Sequence, residues 1–246
     1  MEYLYHYTRF DTCIKIILSG TILFNKLKDM NDINELYRPL FFKDTDNIDK
    51  KFDIENDYQQ LSFTINGWRK GFDIPAMWGH YGDKGNGVCL VFKKEHLLNN
   101  LPTEVKQYGE ICYTDDYSPE ILIENDKDKQ PIPSAQLKEV FFKKTFDWSY
   151  EQEYRIIAYS PNNESRLKID ISNSLVAIIT HNFINLKRGD NSTASSYYNM
   201  LVRLFPKENI LNYNMFLDER NLTNYAGDSF WSTVDWDHIN IDNHSL

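Results

Sequence analysis

The sequence predicts an α+β fold in one domain covering residues 1–246, and three stretches carry that expectation. The first is the opening, where Tyr3, Leu4, Tyr5, His6 and Tyr7 read as a strand, residues 10–18 as a helix, and residues 21–24 as a second strand after Gly20. The second is the unbroken apolar run Val88-Cys89-Leu90-Val91-Phe92, the pattern of a strand covered on both faces. The third is Asp147-Trp148-Ser149-Tyr150-Glu151-Gln152-Glu153-Tyr154-Arg155-Ile156-Ile157, rich in aromatic and β-branched residues and strand-like at least from Glu153.

The other elements follow from local chemistry. Thr8 or Asp11 can cap the first helix, Ile14, Ile17 and Leu18 give it an apolar face, and Gly20 stops it. The Asn- and Asp-rich stretch 28–35 reads as a turn, and the charged segment 43–57 as a solvated loop or surface helix. Leu61-Ser62-Phe63-Thr64-Ile65 alternates as a strand does, and a Gly/Asp/Lys/Asn turn over 82–87 leads into the apolar run. Residues 93–100 predict a short helix, 105–113 a strand, and 136–145 a helix. Between them, 114–134 carries Pro119, Pro131 and Pro133 and reads as a loop. Strands are expected at 166–171, 176–180 and 207–217, a helix at 192–204, and a polar tail from Thr223 on. The sequence shows no repeat, low-complexity tract or linker.

Hydrophobic residues make up 41% of the 246 and charged ones 26%, a balance that places the chain among globular proteins rather than disordered ones. A net charge of −9 argues against a general nucleic-acid binder held by phosphate contacts. Cys13, Cys89 and Cys112 are odd in number and outside any CxxC spacing, which predicts reduced thiols and a cytoplasmic location. The opening MEYLYHYTRF lacks the basic and apolar regions of a signal peptide, and no run approaches 18 apolar residues, so no membrane association is expected.

Three polar-aromatic clusters are the candidate site. His6-Tyr7-Thr8-Arg9 closes the first strand at a tight strand-to-helix turn, where side chains and free N–H groups can meet a ligand. Trp78, His80 and Tyr81 form the second cluster. In the third, a strand reading puts Ser149, Glu151, Glu153 and Arg155 on one face, with the two carboxylates about 7 Å apart at about 3.3 Å per residue. Two acids on an inner face are costly unless that face borders water or a ligand. The plainer alternative is an edge strand with a solvated charged face. No HxH or HExxH spacing supports a metal site, and GxGxxG, GxxxxGK[ST] and GxSxG are all absent.

Taken in order, these clusters resemble the family of unknown function DUF2971. The resemblance rests on LYHYTRFDTCIKIILSGTILFNKLKDMNDINE, on LSFT followed by MWGHYGDKGNGVCLVF, and on DWSYEQEYRI. In the opening, Asn31, Asp32 and Glu35 stand in an Asn-Asp-Pro-Phe-Glu-like pattern, with Ile33-Asn34 in place of Pro-Phe. The resemblance covers residues 3–160, and 161–246 complete the sheet and add the tail. The family is distantly similar to ADP-ribosyltransferases, which clasp NAD with a split β-sheet flanked by helices and take one functional residue from each of three strands. The resemblance therefore implies His6 on the first strand and Glu153 as the catalytic glutamate, with Glu151 orienting or deprotonating the acceptor. The middle-strand residue stays open among Ser62, Phe63 and Thr64 on one side and Trp78 and Tyr81 on the other. Tyr7, Trp78 or Tyr81 would stack on the nicotinamide or adenine ring, Thr8 and Arg9 would line the cofactor, and Arg155 would pair with a carboxylate or the pyrophosphate.

The implied activity is transfer of ADP-ribose from NAD, the substrate, to a macromolecular acceptor (protein or nucleic acid), as in a bacterial defence or toxin-type effector. Two alternatives use the same residues: an NAD glycohydrolase, and a non-catalytic nucleotide-binding or interaction module. A base-directed nucleic-acid enzyme is a further reading, disfavoured by the net charge. A catalytic role predicts that Glu153→Gln abolishes NAD turnover with little loss of stability. Oligomeric state is not legible in the sequence.

Overall fold

The β-branched and aromatic runs become strands, and the short amphipathic stretches between them become helices. In the computed structural model the described residues are 2–30, 40–42, 57–115, 121–123, 132, 134–161, 165–181, 199–206, 209–214, 221–224 and 229–230. The expected roles of Asn31, Asp32 and Glu35, of nearly all of segment 43–57 and of most of loop 114–134 lie outside them. In order the elements are β1 (Tyr3–Thr8), α1 (Phe10–Ser19), β2 (Thr21–Leu23), β3 (Asn25–Lys26), β4 (Leu40–Phe42), β5 (Tyr58–Thr64), α2 (Pro75–His80), β6 (Val88–Lys93), α3 (Lys94–Asn99), β7 (Val105–Glu110), β8 (Cys112–Tyr113), β9 (Ile121–Ile123), α4 (Ser134–Phe141), β10 (Lys143–Lys144), β11 (Glu153–Tyr159), β12 (Lys168–Asp170), β13 (Leu175–His181), β14 (Ile210–Asn214), β15 (Asn221–Asn224) and β16 (Ser229–Phe230). The fold is α+β, and the chain divides into two compact units.

The first unit takes residues 1–22, 64–100 and 170–246. Its sheet is built on β6, whose buried residues Val88 to Phe92 have β1 antiparallel on one side and β13 antiparallel on the other. A fully apolar run fits this place because both of its faces are covered; each such buried Val, Leu or Phe contributes about 1.5–3 kcal/mol. Beyond β13 come β14, parallel, then β15 and β16, antiparallel, so part of the expected polar tail is strand. Residues 199–204 are helical, within the helix expected at 192–204.

Helix α1 ends as the sequence predicts, with Gly20 in the left-handed region at φ 63° and its N–H donating to the Ile17 carbonyl. Its start differs. Arg9 is the N-cap and no side chain caps it, so neither Thr8 nor Asp11 fills that role. Its buried side chains are Cys13, Ile14 and Ile16, whereas Leu18 is exposed, because Leu18 lies one turn on from Ile14 but past the edge of the covered stripe. At Gly87 a Cβ would come within 2.3 Å of the Thr8 carbonyl oxygen, so close backbone approach at the start of β6 requires glycine.

The second unit takes residues 23–63 and 101–169. Here β11 lies between β5 and β7, with β7 antiparallel and at the outer end of the order. Strand β3 pairs with β5, β10 runs parallel to β8, and β4 parallel to β9. Side chains of Tyr58, Ile111, Ile132, Leu137, Val140, Phe141, Phe142 and Ile157 form its core. Strand β5 begins at Tyr58, earlier than its alternation suggests, because the polar Gln59 is satisfied from residues far along the chain: its amide donates to the Ser165 carbonyl and accepts from the Leu167 N–H. Helix α4 ends at Phe141, and the expected continuation to Thr145 is instead the short strand β10, opposite Cys112 and Tyr113. The outer strand β7 alternates half-buried and exposed residues, with Lys106, Tyr108 and Glu110 outward. Among the described residues no helix is long and apolar enough to cross a membrane.

Candidate functional site

The acid-rich stretch is built by a change of backbone geometry in the second unit. Residues Phe146–Glu151 wind as a 3-10 turn, Gln152 takes a left-handed conformation at φ 46° and ψ 50°, and the strand begins at Glu153. The strand reading thus holds from Glu153 on. Glu151 and Ser149 lie in the turn instead of on an alternating strand face, because the period of two is broken at Gln152.

Glu153 is the hub. Its Oε1 accepts from Arg155 Nε at 2.7 Å, Ser62 Oγ at 2.6 Å and Gln60 Nε2 at 3.4 Å. Its Oε2 accepts from Arg155 Nη2 at 2.9 Å and Lys144 Nζ at 2.8 Å. The guanidinium therefore grips the carboxylate by both oxygens, the geometry in which an Arg–carboxylate pair is strongest. Arg155 also donates through Nη1 to the Phe141 carbonyl, tying α4 to β11. The Glu153 backbone N–H donates to the Tyr113 hydroxyl at 2.8 Å. Lys144 reaches Glu151 Oε2 at 2.7 Å, and its ammonium stands 5.3 Å from the centre of the Trp148 ring.

All four charges are buried: Glu153 and Glu151 are each 4% exposed, Lys144 5% and Arg155 1%. Two acids and two bases balance, which is what makes their burial tolerable. Burial alone pushes the Glu153 carboxyl up; the charges and hydrogen bonds of Arg155 and Lys144 outweigh it and hold the group well below its ordinary 4.5. Burial, reinforced by the Glu153 and Glu151 charges, pushes the Tyr113 hydroxyl up, so it stays protonated.

The sign of the acid response follows. A carboxylate whose value is lower in the folded than in the unfolded chain binds fewer protons when folded. Its contribution is complete above the ordinary carboxylate range and is lost as pH falls through 4.5 toward the folded value. The urea midpoint of the protein is expected to drop once pH falls below 4.5, and Glu153→Gln is expected to flatten that drop. Equal pH slopes for the two proteins would contradict the coupling.

The remaining expected residues, Phe63 apart, lie in the first unit. His6 is half-buried on β1 opposite Leu90, and Thr8 is buried opposite Val88. Arg9 pairs with Asp11 at 3.0 Å on the surface, a pair of small energetic weight. Tyr7 donates to the Gly71 carbonyl at 2.7 Å and meets Trp78 edge-on, ring centres 5.1 Å apart. Trp78 donates from Nε1 to the Phe72 carbonyl at 2.9 Å, and the rings of His181 and Tyr213 lie 5.4 Å and 6.3 Å away. Trp78 is a packed core ring at 1% exposure, while Tyr81 is half-buried. In β5, Phe63 and Thr64 are buried and Ser62 is half-buried.

Of the expected residues, the second unit brings Glu151, Glu153, Arg155 and Ser62 into one network. Sequence reasoning missed Lys144, Gln60 and Tyr113 there, and His181, Tyr213 and Asp73 in the first unit, where the Tyr213 hydroxyl donates to the Asp73 carboxylate. Lys144 carried one sequence signal, a basic residue seven and nine positions ahead of the two acids. Among the described residues no three His, Cys, Asp or Glu side chains gather as metal ligands.

One family model matches part of this chain. No curated protein and no solved structure matches it. Residues 77–156, which include the Met-Trp-Gly-His-Tyr run and the turn and first residues of the acid-rich strand, match the family described as protein of unknown function, DUF2971.

Proposed function

We propose that the protein is an ADP-ribosyltransferase-like enzyme that cleaves the nicotinamide–ribose bond of NAD and passes ADP-ribose to a macromolecular acceptor. The observation that carries this reading is the hydrogen bond from Ser62 Oγ to Glu153 Oε1 at 2.6 Å, which joins a hydroxyl of β5 to the carboxylate of neighbouring β11. Among the middle-strand candidates this favours Ser62.

Loss of nicotinamide leaves positive charge on the ribose ring, and an ionised, fixed carboxylate stabilises that charge. Glu153 meets both conditions: Arg155 and Lys144 keep it ionised, and Ser62 and Arg155 fix its plane. Glu151 is the second carboxylate, suited to take the proton of the acceptor nucleophile as the new bond to ribose forms. Glu153 already accepts from five donors, so a ribose hydroxyl has to replace one; Gln60, at 3.4 Å, makes the longest contact.

That saturation, with near-complete burial, favours a second reading: a nucleotide-binding or interaction module in which the ion cluster serves only the fold.

One experiment separates them. Wild type and Ser62→Ala are incubated with labelled NAD and cell lysate, and nicotinamide release and macromolecular label are measured alongside an NAD thermal shift. The transferase reading expects release with label, reduced in Ser62→Ala by about 100-fold, the scale of a 1 Å misplacement of a reacting group. Release without label identifies a glycohydrolase. A thermal shift without turnover identifies the binding module, and neither signal ends the NAD reading. Glu153→Gln is the poorer probe, because it leaves buried cations short of an anion and so costs stability, contrary to the expectation from sequence.

A further inference from the structure

We infer that Lys144 is a positioning residue of this site: its one ammonium holds Glu151 and Glu153 side by side, both ionised and both fixed. The inference deepens the NAD reading and rests on it only for the enzymatic part of its test.

The geometry is direct. Lys144 Nζ lies 2.7 Å from Glu151 Oε2 and 2.8 Å from Glu153 Oε2, so the two acids share one cation. Strand β10, pinned in parallel to β8 through the Lys144–Tyr113 register, sets the origin of the side chain. The Trp148 ring covers the ammonium from the 3-10 turn that also delivers Glu151. One short turn thus supplies both the second carboxylate and the aromatic cover of the cation.

The groups facing the pair come from four strands as well as the 3-10 turn. Tyr113 faces it from β8, Lys144 from β10, Arg155 from β11, and Ser62 and Gln60 from β5. Arg155 spends Nε and Nη2 on Glu153 and Nη1 on the Phe141 carbonyl. Lys144 is a cation that reaches both acids. Two carboxylates brought this close raise one another's proton affinity when the cation between them is removed, and their protons come off as a coupled pair. A site in which one acid steadies a cationic ribose and the other takes a proton needs both in the ionised form at once.

The test follows the carboxyl carbons of ¹³C-glutamate-labelled protein by NMR across a pH titration in wild type, Lys144→Met, Lys144→Arg and the double variant Lys144→Met/Glu151→Gln. In Lys144→Met one carboxyl of the pair is expected to titrate higher by about one unit or more, a tenfold change in proton affinity. Lys144→Arg keeps the wild-type titration, and adding Glu151→Gln to Lys144→Met brings Glu153 back down. Unchanged glutamate titrations in Lys144→Met, or failure of Glu151→Gln to reverse the shift, overturn the inference. If Lys144→Met does not fold, Lys144→Gln, which keeps a neutral polar end where the ammonium stood, is read in its place against Lys144→Arg, with the same expected rise and the same overturning result. The pH profile of NAD turnover is the second readout: its acid limb moves up in Lys144→Met and returns in Lys144→Arg. The expected titration shifts without turnover in any variant overturn the NAD reading and leave the placement of the two acids by Lys144 standing.

Discussion

Replacing Arg155 by Met is expected to cost about 3–5 kcal/mol of folding stability, the scale for removing one partner of a buried ion pair. The side chain is 1% exposed and its charged end is fully engaged, gripping both oxygens of Glu153 and the Phe141 carbonyl. Methionine fills most of the volume but leaves a buried anion with Lys144, Ser62 and Gln60 facing its carboxylate among the described residues. It also strips a buried carbonyl of a charged donor. Urea unfolding of wild type and variant measures the loss. Removing both charges, in Arg155→Met/Glu153→Leu, is expected to recover part of it, since the main penalty lies in the unpaired carboxylate. A single-variant loss below about 1 kcal/mol would mean that the pair is as slack as a surface salt bridge.

Trp78→Ala is the second large effect, again about 3–5 kcal/mol, the range for emptying a large aromatic from a core. The ring is enclosed by Tyr7, His181 and Tyr213, and its Nε1–H is satisfied by Phe72. Truncation forfeits the buried area, the edge-on contact with Tyr7 and the hydrogen bond to the Phe72 carbonyl at once. Gly82 packs so tightly here that a Cβ would lie 2.9 Å from the Trp78 carbonyl oxygen, which leaves little play for the wall to collapse into the hole. Trp78→Phe keeps part of the ring volume and loses only the donor and one ring, so its loss is expected to be about half as large. Urea midpoints with near-UV circular dichroism check both, and an Ala variant as stable as wild type would remove Trp78 from the core.

What was legible in the sequence was local or periodic. Gly20 announces a helix end because only a left-handed residue closes the turn cheaply, and the Val88–Phe92 run announces a covered strand because no solvated strand tolerates five apolar residues together. The site was legible in part. Glu151, Glu153 and Arg155 stood out as charges inside an apolar pattern, and Ser62 as a polar residue in an alternating strand. What stayed hidden depends on partners far along the chain. Lys144 reads as the surface end of a helix, and only the pairing of β10 with β8 and the two acids beyond it turn it inward. Gln60 lies just ahead of the strand expected at 61–65, and its partner, Glu153, stands 93 positions later. Gln152 is a third case: nothing in its side chain announces a left-handed backbone, yet that residue separates the 3-10 turn Phe146–Glu151 from the strand that begins at Glu153.

The outer strand β7 bears on how the protein behaves when concentrated. A row of backbone donors and acceptors at the end of a sheet is a template for another chain. Here that row is six residues long and carries Lys106 and Glu110 outward near its two ends. A second molecule adding itself antiparallel would have to seat these charges, and Tyr108 between them, in a fixed register that only a matching strand could satisfy. The two charged side chains are therefore expected to oppose self-association through this rim, the first step toward a fibre or a precipitate.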